Sequence, residues 1–306
     1  MLLHSHRFVL ALRMSRPGFL IITAVGCLIG VASAASAGAG VSGPRALATL
    51  ILALLAHAAA NMLNDHADAL NGADAANTQG LYPFTGGSRL VQSGVVQASA
   101  MRTLAQVLLA LVAVGGLWLA WYSGPALVLV GLAGVLLGWA YSMPPLALMS
   151  LGLGELAVGL AWGLVVLGAD YVQRGHFAPV PLAAAASYAL LIANILVANG
   201  FPDAAPDAQV GKRTLVVRIG PERAAWLYLM LAVVAHAMLA AAVATRVLPQ
   251  SALWALLSLP LSLAAAVLLL RWSRRPERLR PALVLGIAAA VVHGLALSVG
   301  LWWAWR

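Results

Sequence analysis

The acidic residues of this chain are concentrated in two short clusters. Five of the nine acidic residues fall in the segments NMLNDHADALNGAD and NGFPDAAPD. They are Asp65, Asp68 and Asp74 in the first cluster and Asp203 and Asp207 in the second. The chain as a whole is 62% hydrophobic and only 9% charged. Carboxylates this crowded in so apolar a sequence indicate a divalent cation site.

Helical spacing would place the oxygens of each cluster on one face, because residues three or four apart on a helix are neighbours. The residues so related are Asn61, Asp65 and Asp68 in the first cluster and Asn199, Asp203 and Asp207 in the second. Oxygen donors without a histidine or cysteine partner suit Mg²⁺, which keeps waters and is completed by substrate phosphates. We therefore expect two facing columns of ligands that hold a diphosphate between metal ions.

Basic residues lie close to both clusters. Lys212, the only lysine of the chain, and Arg213 follow the second cluster, and Arg89 ends the FTGGSR segment after the first. Cations beside carboxylates can bind phosphate oxygens, so we expect these three residues to contact substrate. The alternative is that they only set membrane orientation, and we prefer that role for the arginines between 271 and 280.

The elements that carry these residues are apolar segments of about 20 residues, each long enough to cross a hydrocarbon core of roughly 30 Å. Their runs are unbroken, whereas the strands of a membrane barrel alternate by twos. The sequence therefore predicts an all-α polytopic membrane protein with about nine transmembrane helices. The segments are 18–37, 46–64, 99–121, 124–141, 151–169, 180–200, 222–244, 251–270 and 281–303.

The first apolar segment, which contains the only cysteine, Cys27, could also be a cleaved signal peptide. We favour a retained helix because the chain continues to span repeatedly. A single cysteine excludes an intramolecular disulfide and a thiolate cluster.

The net charge of +9 does not form a patch for nucleic acid, so we expect no nucleic-acid partner. With the N-terminus inside, 14 of the 18 basic residues fall on one face and only Arg45, Arg174, Arg246 and Arg306 on the other. This bias predicts a bacterial-type inner membrane protein with both acidic clusters on the cytoplasmic side.

The two clusters follow the second and the sixth apolar segments, which are four spans apart and run in the same direction. This suggests a single domain, 1–306, made of two similar four-helix halves at about 14–145 and 146–271 and a ninth helix at 281–303. The long connections 65–98 and 201–221 exceed what a turn needs, and such loops usually carry function. A cation-coupled transporter stays open as an alternative, although its acids would usually lie near the bilayer midplane.

Together these motifs resemble the UbiA superfamily of intramembrane aromatic prenyltransferases over nearly the whole chain. The ND-x-x-D-x-x-x-x-G-x-D form that begins at Asn64 and the segment NGFPDAAPDAQVGKRTL are most similar to the 1,4-dihydroxy-2-naphthoate polyprenyltransferase branch. Further similar segments are the Arg16-Pro17 pair before the first apolar segment, FTGGSR, YSMPP, which begins at Tyr141, and LGLGELAVGL. The stretch SMPPLALMSLGLGE departs from the pattern, because it lacks the basic residue that many relatives carry after the paired prolines.

The resemblance implies helices around a central cavity, Mg²⁺ as cofactor, a polyprenyl diphosphate donor, an aromatic acceptor and a lipid environment. Carried over, the metal ligands and catalytic residues would be Asp65, Asp68, Asp203 and Asp207. Substrate contacts would come from Asn61, Asn64, Arg89, Tyr141, Asn199, Lys212 and Arg213. The acceptor would be 1,4-dihydroxy-2-naphthoate of the menaquinone pathway, with 4-hydroxybenzoate of the ubiquinone pathway as the alternative.

Four other polar residues lie in or near these helices, and the role of one of them, Glu155, stays open. We expect His57 and His293 to be packing residues of the bundle and His66 to face away from the acidic residues of its helix. Glu155, at the start of the fifth apolar segment, either orients a cation or activates the acceptor hydroxyl, or it has a structural role.

Overall fold

The computed structural model describes residues 9–78 and 80–304, and this part of the chain is helical, without strands. Eight of its helices are long and apolar enough to cross a membrane, and a ninth apolar helix is shorter. The chain is therefore a multi-pass membrane protein, as the apolar segments predict. The helices are α1 (Pro17–Ser36), α2 (Gly43–Asn71), α3 (Ala98–Ser123), α4 (Ala126–Ser142), α5 (Gly154–Arg174), α6 (Pro179–Gln209), α7 (Pro221–Ala244), α8 (Gln250–Trp272) and α9 (Arg280–Trp303).

The helices α2 and α6 extend past their apolar segments and carry the acidic clusters on their last turns. Gly72, with φ +83°, ends α2 in the left-handed conformation that favours glycine. The helix α6 continues to Gln209 although it contains Pro202 and Pro206. The connection predicted at 201–221 is therefore shorter than expected, since helix occupies its first half. We call the end of the bundle where α2 and α6 finish the acidic end.

The interior of the bundle contains three clusters of buried apolar side chains. The largest joins α1, α5, α6, α7, the start of α8 and α9 around Ile29, Tyr188 and Leu297. A second lies nearer the acidic end among α6 to α9. The third packs α2 against α3 and the segment that precedes it. The shorter helix α4 contributes to none of them and has only two buried residues.

Small residues allow the central helices to approach closely, as is common where helices pack in lipid. A Cβ atom on Gly294 of α9 would collide with Val25 of α1 and would lie 2.9 Å from the Tyr188 ring of α6. A Cβ atom on Gly30 of α1 would collide with the backbone of α5 at Val166. The interfaces of α1 with α9 and with α5 are therefore tightly packed.

A chain of polar side chains crosses the apolar interior. His293 contacts the hydroxyls of Ser187 and Ser258 at 3.1 and 3.2 Å, and Ser258 also contacts His236 at 2.8 Å. These bonds satisfy buried polar atoms that would otherwise cost free energy. The network links α6, α7, α8 and α9 and gives His293 the packing role expected from the sequence. The division of the chain into two similar halves stays a prediction, and Arg7 and Arg306 lie outside the described residues.

Candidate active site at the acidic end

Lys212 joins the two acidic clusters. Its Nζ atom donates to Asp68 Oδ1 of α2 at 2.8 Å and lies 3.4 Å from Asp207 Oδ1 of α6. All three side chains are at least nine-tenths buried. Burial disfavours the charged ammonium, but the two carboxylates outweigh this and hold the pKa of Lys212 above its ordinary value. The ends of α2 and α6 are therefore held together by a buried charge.

Amide side chains complete the hydrogen bonds of Asp68. Asn64, one helical turn earlier, donates to Oδ2 at 3.0 Å, and Asn71 donates to Oδ1 at 3.3 Å. The spacing of four and three residues produces these contacts, because such residues share a helix face. Asp68 therefore has partners on both oxygens and is fixed in position.

The second cluster is tied to the loop that follows the first. Asn77 Nδ2 donates to Asp203 Oδ1 at 2.6 Å. Asn77 comes just after the short helix Ala73–Ala76, which carries Asp74. The loop thus bridges the ends of α2 and α6 at a second point, beside the Lys212 bridge.

The same loop folds over Asp65. The backbone N–H of Ser88 donates to Asp65 Oδ2 at 3.0 Å. The preceding residue, Gly87, has φ +68°, and a Cβ atom there would lie 2.5 Å from Asp74 Oδ2 and 3.1 Å from Asp65 Oδ1. Only glycine fits this combination of backbone conformation and close approach. The FTGGSR segment therefore lets the backbone lie directly against two carboxylates.

Asp74 is buried beside the other carboxylates of the first cluster. Burial, together with the negative charges of Asp68 and Asp65, raises the pKa of Asp74 to about 7. Its Oδ2 atom accepts a hydrogen bond from Gln92 at 3.1 Å. The negative charge at this end of the bundle is therefore only partly balanced by the nearby cations.

Two of the predicted substrate contacts lie elsewhere. Arg89 Nη1 donates to the backbone carbonyls of Asp74 and Asn77 at 3.0 and 2.7 Å, so this guanidinium holds the loop. The Arg213 side chain is exposed, and neither arginine lines the cavity beside the carboxylates. Charge and proximity in sequence suggested both residues, but they do not determine the direction of a side chain.

Arg16 reaches the site, although the sequence indicated it only through the Arg-Pro pair before α1. Its Nη1 atom donates to Asn64 Oδ1 at 3.3 Å and lies 3.8 Å from Asp65 Oδ1. The backbone of Arg16 has φ +54°, which is unfavourable for a residue with a side chain. This left-handed residue links the preceding segment to α1 and supplies a cation beside the first cluster.

Between the clusters lies a cavity of about 110 Å³, which we call the polar cavity. Its lining includes Asn64, Asp68, Asp74, Tyr141, Glu155, Asn199, Asp203, Asp207 and Lys212. Around it, Arg16 Nε, Asp65 Oδ1, Glu155 Oε2 and Asn199 Oδ1 are buried and have no hydrogen-bond partner among the described residues. Buried polar atoms without partners are costly, so this site is incomplete as a purely structural network.

Within the described parts of the chain, no three His, Cys, Asp or Glu side chains are grouped closely enough to hold a metal ion. Lys212 lies between Asp68 and Asp207, and this is part of the reason why these carboxylates are not grouped more closely. Mg²⁺ is commonly bound by one or two carboxylates together with water and substrate phosphates. Carboxylate and amide oxygens with unsatisfied atoms fit such a metal, whereas they do not fit one that prefers sulfur ligands.

An apolar cavity of about 220 Å³ adjoins the polar cavity on the side away from the acidic end. The two cavities share the lining residues Arg16, Asn64, Tyr141, Leu196 and Asn199, and Asn61 lines the apolar one alone. Deeper in the apolar cavity, His57 contacts the Thr23 hydroxyl at 2.8 Å and packs edge-on against Trp162 with ring centroids 4.8 Å apart. His57 therefore lies on the cavity wall, which its sequence position alone did not reveal.

Two other residues have the positions that their spacing suggests. The His66 ring contacts the carbonyl of Ala98 at 2.9 Å and so faces α3 rather than the polar cavity. Glu155, in the first turn of α5, is buried and lines the polar cavity. Its unpartnered Oε2 atom makes a purely structural role harder to support.

The fold and the site define a class of protein. A helix bundle in the membrane surrounds a carboxylate-lined cavity that continues into an apolar one. The UbiA prenyltransferase family matches residues 19–289. The chain belongs to this family, which confirms the resemblance drawn from its motifs.

Relatives of known name agree with this assignment. The chain is 35% identical over 226 residues to a 1,4-dihydroxy-2-naphthoate octaprenyltransferase of Mycobacterium tuberculosis, covering 72% of this chain and 73% of that protein. It is 27% identical over 266 residues to the protein of the same name in Escherichia coli, covering 84% and 83%. A UbiA homolog from Archaeoglobus fulgidus solved with GPP and Mg²⁺ has the same fold, with TM-score 0.60, 17% identity and coverage of 94% of this chain and 99% of that one.

Proposed function

We propose that this protein transfers a polyprenyl group from a polyprenyl diphosphate to 1,4-dihydroxy-2-naphthoate, a step of menaquinone biosynthesis. The observation that carries the proposal is the continuity of the two cavities, because a carboxylate-lined chamber opens directly into an apolar one. The acceptor is proposed from the names of the curated relatives.

The reaction breaks the bond between the allylic carbon and the diphosphate, which leaves, and forms a carbon–carbon bond to the aromatic ring. The attacked ring carbon then loses its own substituent, a proton or, where it carries the carboxylate, CO2. Asp68, Asp203 and Asp207, with Asp65 beside them, would hold Mg²⁺, as their oxygen-rich surroundings allow. Mg²⁺, when bound, supplies positive charge that stabilises the departing diphosphate.

The side chains that line the two cavities have four tasks in this proposal. Asn64 and Asn199 orient the diphosphate end of the donor, and Lys212 supplies a fixed positive charge next to it. Tyr141 presents its ring where the allylic carbon would become cation-like. The apolar walls exclude water, which would otherwise capture the allylic cation.

Incubating membranes that contain the protein with a radiolabelled polyprenyl diphosphate and a panel of aromatic acids tests the proposal. We expect a labelled product with 1,4-dihydroxy-2-naphthoate that is lost in excess chelator and restored by Mg²⁺. Product formed only with 4-hydroxybenzoate would correct the acceptor. No prenylated product with any acid, or full activity in excess chelator, would contradict the proposed reaction.

We also propose that the acidic end faces the cytoplasm, on the basis of the distribution of basic residues between the loops. The acidic residues themselves are poor positions for a labelled cysteine, because Asp74, for example, is buried. Exposed positions are therefore used to report the orientation. On a Cys27→Ser background, Ser93→Cys at the acidic end and His176→Cys at the opposite end are both exposed. An impermeant thiol reagent added to intact cells should label position 176 only, and labelling of position 93 alone would reverse the orientation.

A further inference from the structure

The connection between α8 and α9 is strongly basic. With the adjoining helix ends it carries five arginines within ten residues, and all five are exposed. Glu277 is the one acidic residue of this stretch. We call the five arginines the arginine cluster: Arg271, Arg274, Arg275, Arg278 and Arg280. None of them lines the polar or the apolar cavity, so the cluster is separate from the candidate active site.

Three of these arginines lie over one indole ring. The guanidinium carbons of Arg271, Arg275 and Arg278 are 5.1, 5.7 and 4.4 Å from the centroid of the Trp272 ring. Trp272 packs against the apolar cluster nearer the acidic end, so the ring is anchored to the bundle. Cation–π contacts of this kind attract a cation to one place on the protein surface. The three charges are therefore held together and do not point separately into solvent.

These three guanidinium groups have no carboxylate partner. In the part of the chain that the structure describes, the only ion pair of the arginine cluster joins Arg274 to Glu222 at 2.9 Å, and Glu277 forms none. Like charges that are held close together repel each other, and an anion between them relieves this repulsion. The arrangement therefore favours a bound anion.

The adjoining apolar surface identifies the kind of anion. Leu263 and Val267 precede Arg271 at steps of four along α8, so the three share one face. Both apolar side chains are exposed, over 37% and 60% of their surfaces. On α9, the exposed Val284 follows Arg280 by the same step. The arginines therefore lie where the apolar outer surface of α8 and α9 ends, which is where the hydrocarbon of a membrane gives way to headgroups.

We propose that the arginine cluster binds the headgroup phosphate of an anionic phospholipid, whose acyl chains lie on the exposed apolar surface of α8 and α9. The fork of donors on each guanidinium group matches phosphate oxygens. An anionic lipid also supplies the net negative charge that a zwitterionic lipid lacks, and a soluble phosphate would leave the apolar surface unused. The proposal adds a ligand to the orienting role expected from the sequence and does not depend on the proposed function.

The test compares full-length variants in a neutral detergent. Arg271→Gln combined with Arg278→Gln removes the two guanidinium groups nearest the Trp272 ring. Arg13→Gln combined with Arg102→Gln is the matched control, because both arginines are exposed and adjoin in sequence members of the apolar cluster of α2 and α3. The two double variants remove the same charge from the same end of the bundle.

Native mass spectrometry measures the lipid bound at each concentration, for phosphatidylglycerol and for phosphatidylcholine with the same acyl chains. We expect the unchanged protein to bind phosphatidylglycerol more tightly. The glutamine variant of the cluster should lose roughly 10- to 30-fold of that affinity, since an arginine beside an anionic lipid contributes roughly a fivefold gain. Its affinity for phosphatidylcholine should not change, and the control variant should bind both lipids as the unchanged protein does.

A second variant, Arg271→Lys combined with Arg278→Lys, keeps the charge and should retain most of the affinity for phosphatidylglycerol. Four outcomes would overturn the proposal. The first is equal affinity of the unchanged protein for both lipids, and the second is an equal loss in the control variant. The third is a loss in the lysine variant as large as in the glutamine variant, with a lower unfolding temperature, which would mean that the arginines only pack on Trp272. The fourth is displacement of phosphatidylglycerol by inorganic phosphate at equal concentration, which would indicate a site for soluble anions.

Discussion

Two buried ion pairs lie at opposite ends of the bundle and differ in what surrounds them. At the acidic end, Lys212 contacts Asp68 and Asp207. At the opposite end, Arg174 donates to Asp170 through Nε at 3.0 Å and through Nη2 at 2.9 Å. Both pairs are almost completely removed from water. Burial and charge are therefore common to the two regions and cannot identify the active site.

The two regions differ in how far their charges are satisfied. Both oxygens of Asp170 are bonded, and Arg174 also donates to the carbonyl of Ser33 at 3.0 Å, so this pair is locally complete. At the acidic end, one lysine faces carboxylates of both clusters beside a cavity, and Asp65 Oδ1 has no hydrogen bond. An excess of oxygen ligands next to open space marks a binding site, whereas a complete pair marks a structural one.

The largest effect is expected for Asp203→Asn. The change removes one negative charge from the polar cavity and should reduce turnover by more than roughly 1,000-fold, because electrostatic groups at the reacting centre make large contributions to catalysis. Turnover is measured per folded protein in membranes with saturating Mg²⁺. Asp170→Asn is the control and should retain most activity per folded molecule. Near-normal turnover in Asp203→Asn would remove the distinction between the two regions.

The next effect concerns stability at the opposite end. Asp170→Asn leaves the buried guanidinium of Arg174 without its charged partner, and breaking a buried pair costs about 3–5 kcal/mol. We expect the lower part of this range, because asparagine still accepts a hydrogen bond, and thermal unfolding in detergent measures it. The exposed pair of Glu222 and Arg274 supplies the control, since Glu222→Gln should change the unfolding temperature little. Equal shifts in both variants would show that Asp170 is not a special structural element.

The sequence was sufficient to predict the helices because each one is a long apolar segment with polar or breaking residues at its ends. The predicted segment 251–270, for example, corresponds to α8 at Gln250–Trp272. The predicted segments end at residues 64 and 200, whereas the helices continue to Asn71 and Gln209, as the helical spacing of the carboxylates requires. That spacing also indicated which oxygens share a helix face, as Asn64 and Asp68 do.

What the sequence could not supply is the direction of side chains that lie outside regular helices. Arg16 and Asn77 reach the carboxylates from distant segments, through a left-handed residue in one case and through a loop in the other. Such contacts depend on tertiary packing and leave no periodic pattern. The position of His57 on the wall of the apolar cavity was not predicted for a related reason. The sequence alone does not distinguish a polar residue that packs in the core from one that lines a cavity.

The smallest expected effect separates Lys212 from its neighbour Arg213, which sequence position alone treats as equivalent. Lys212 is buried between two carboxylates, whereas the side chain of Arg213 is exposed and outside the polar cavity. Losing a charge-assisted bond costs about 1.5–3 kcal/mol. We therefore expect Lys212→Met to raise the activation free energy that kcat/KM for the polyprenyl diphosphate measures by that amount. Arg213→Met should change it little.

Arg275→Met is the matched control for the removal of a positive charge. This arginine lies in the connection between α8 and α9, and its guanidinium carbon is 5.7 Å from the centroid of the Trp272 ring. Orientation in the membrane should survive in all three variants, since many other basic residues remain on the same side. Steady-state kinetics with varied donor decides the question. Equal, negligible effects at all three positions would mean that Lys212 holds α2 and α6 together without contacting the donor. A large effect at Arg213 would instead show that its exposed side chain turns toward the diphosphate when substrate binds.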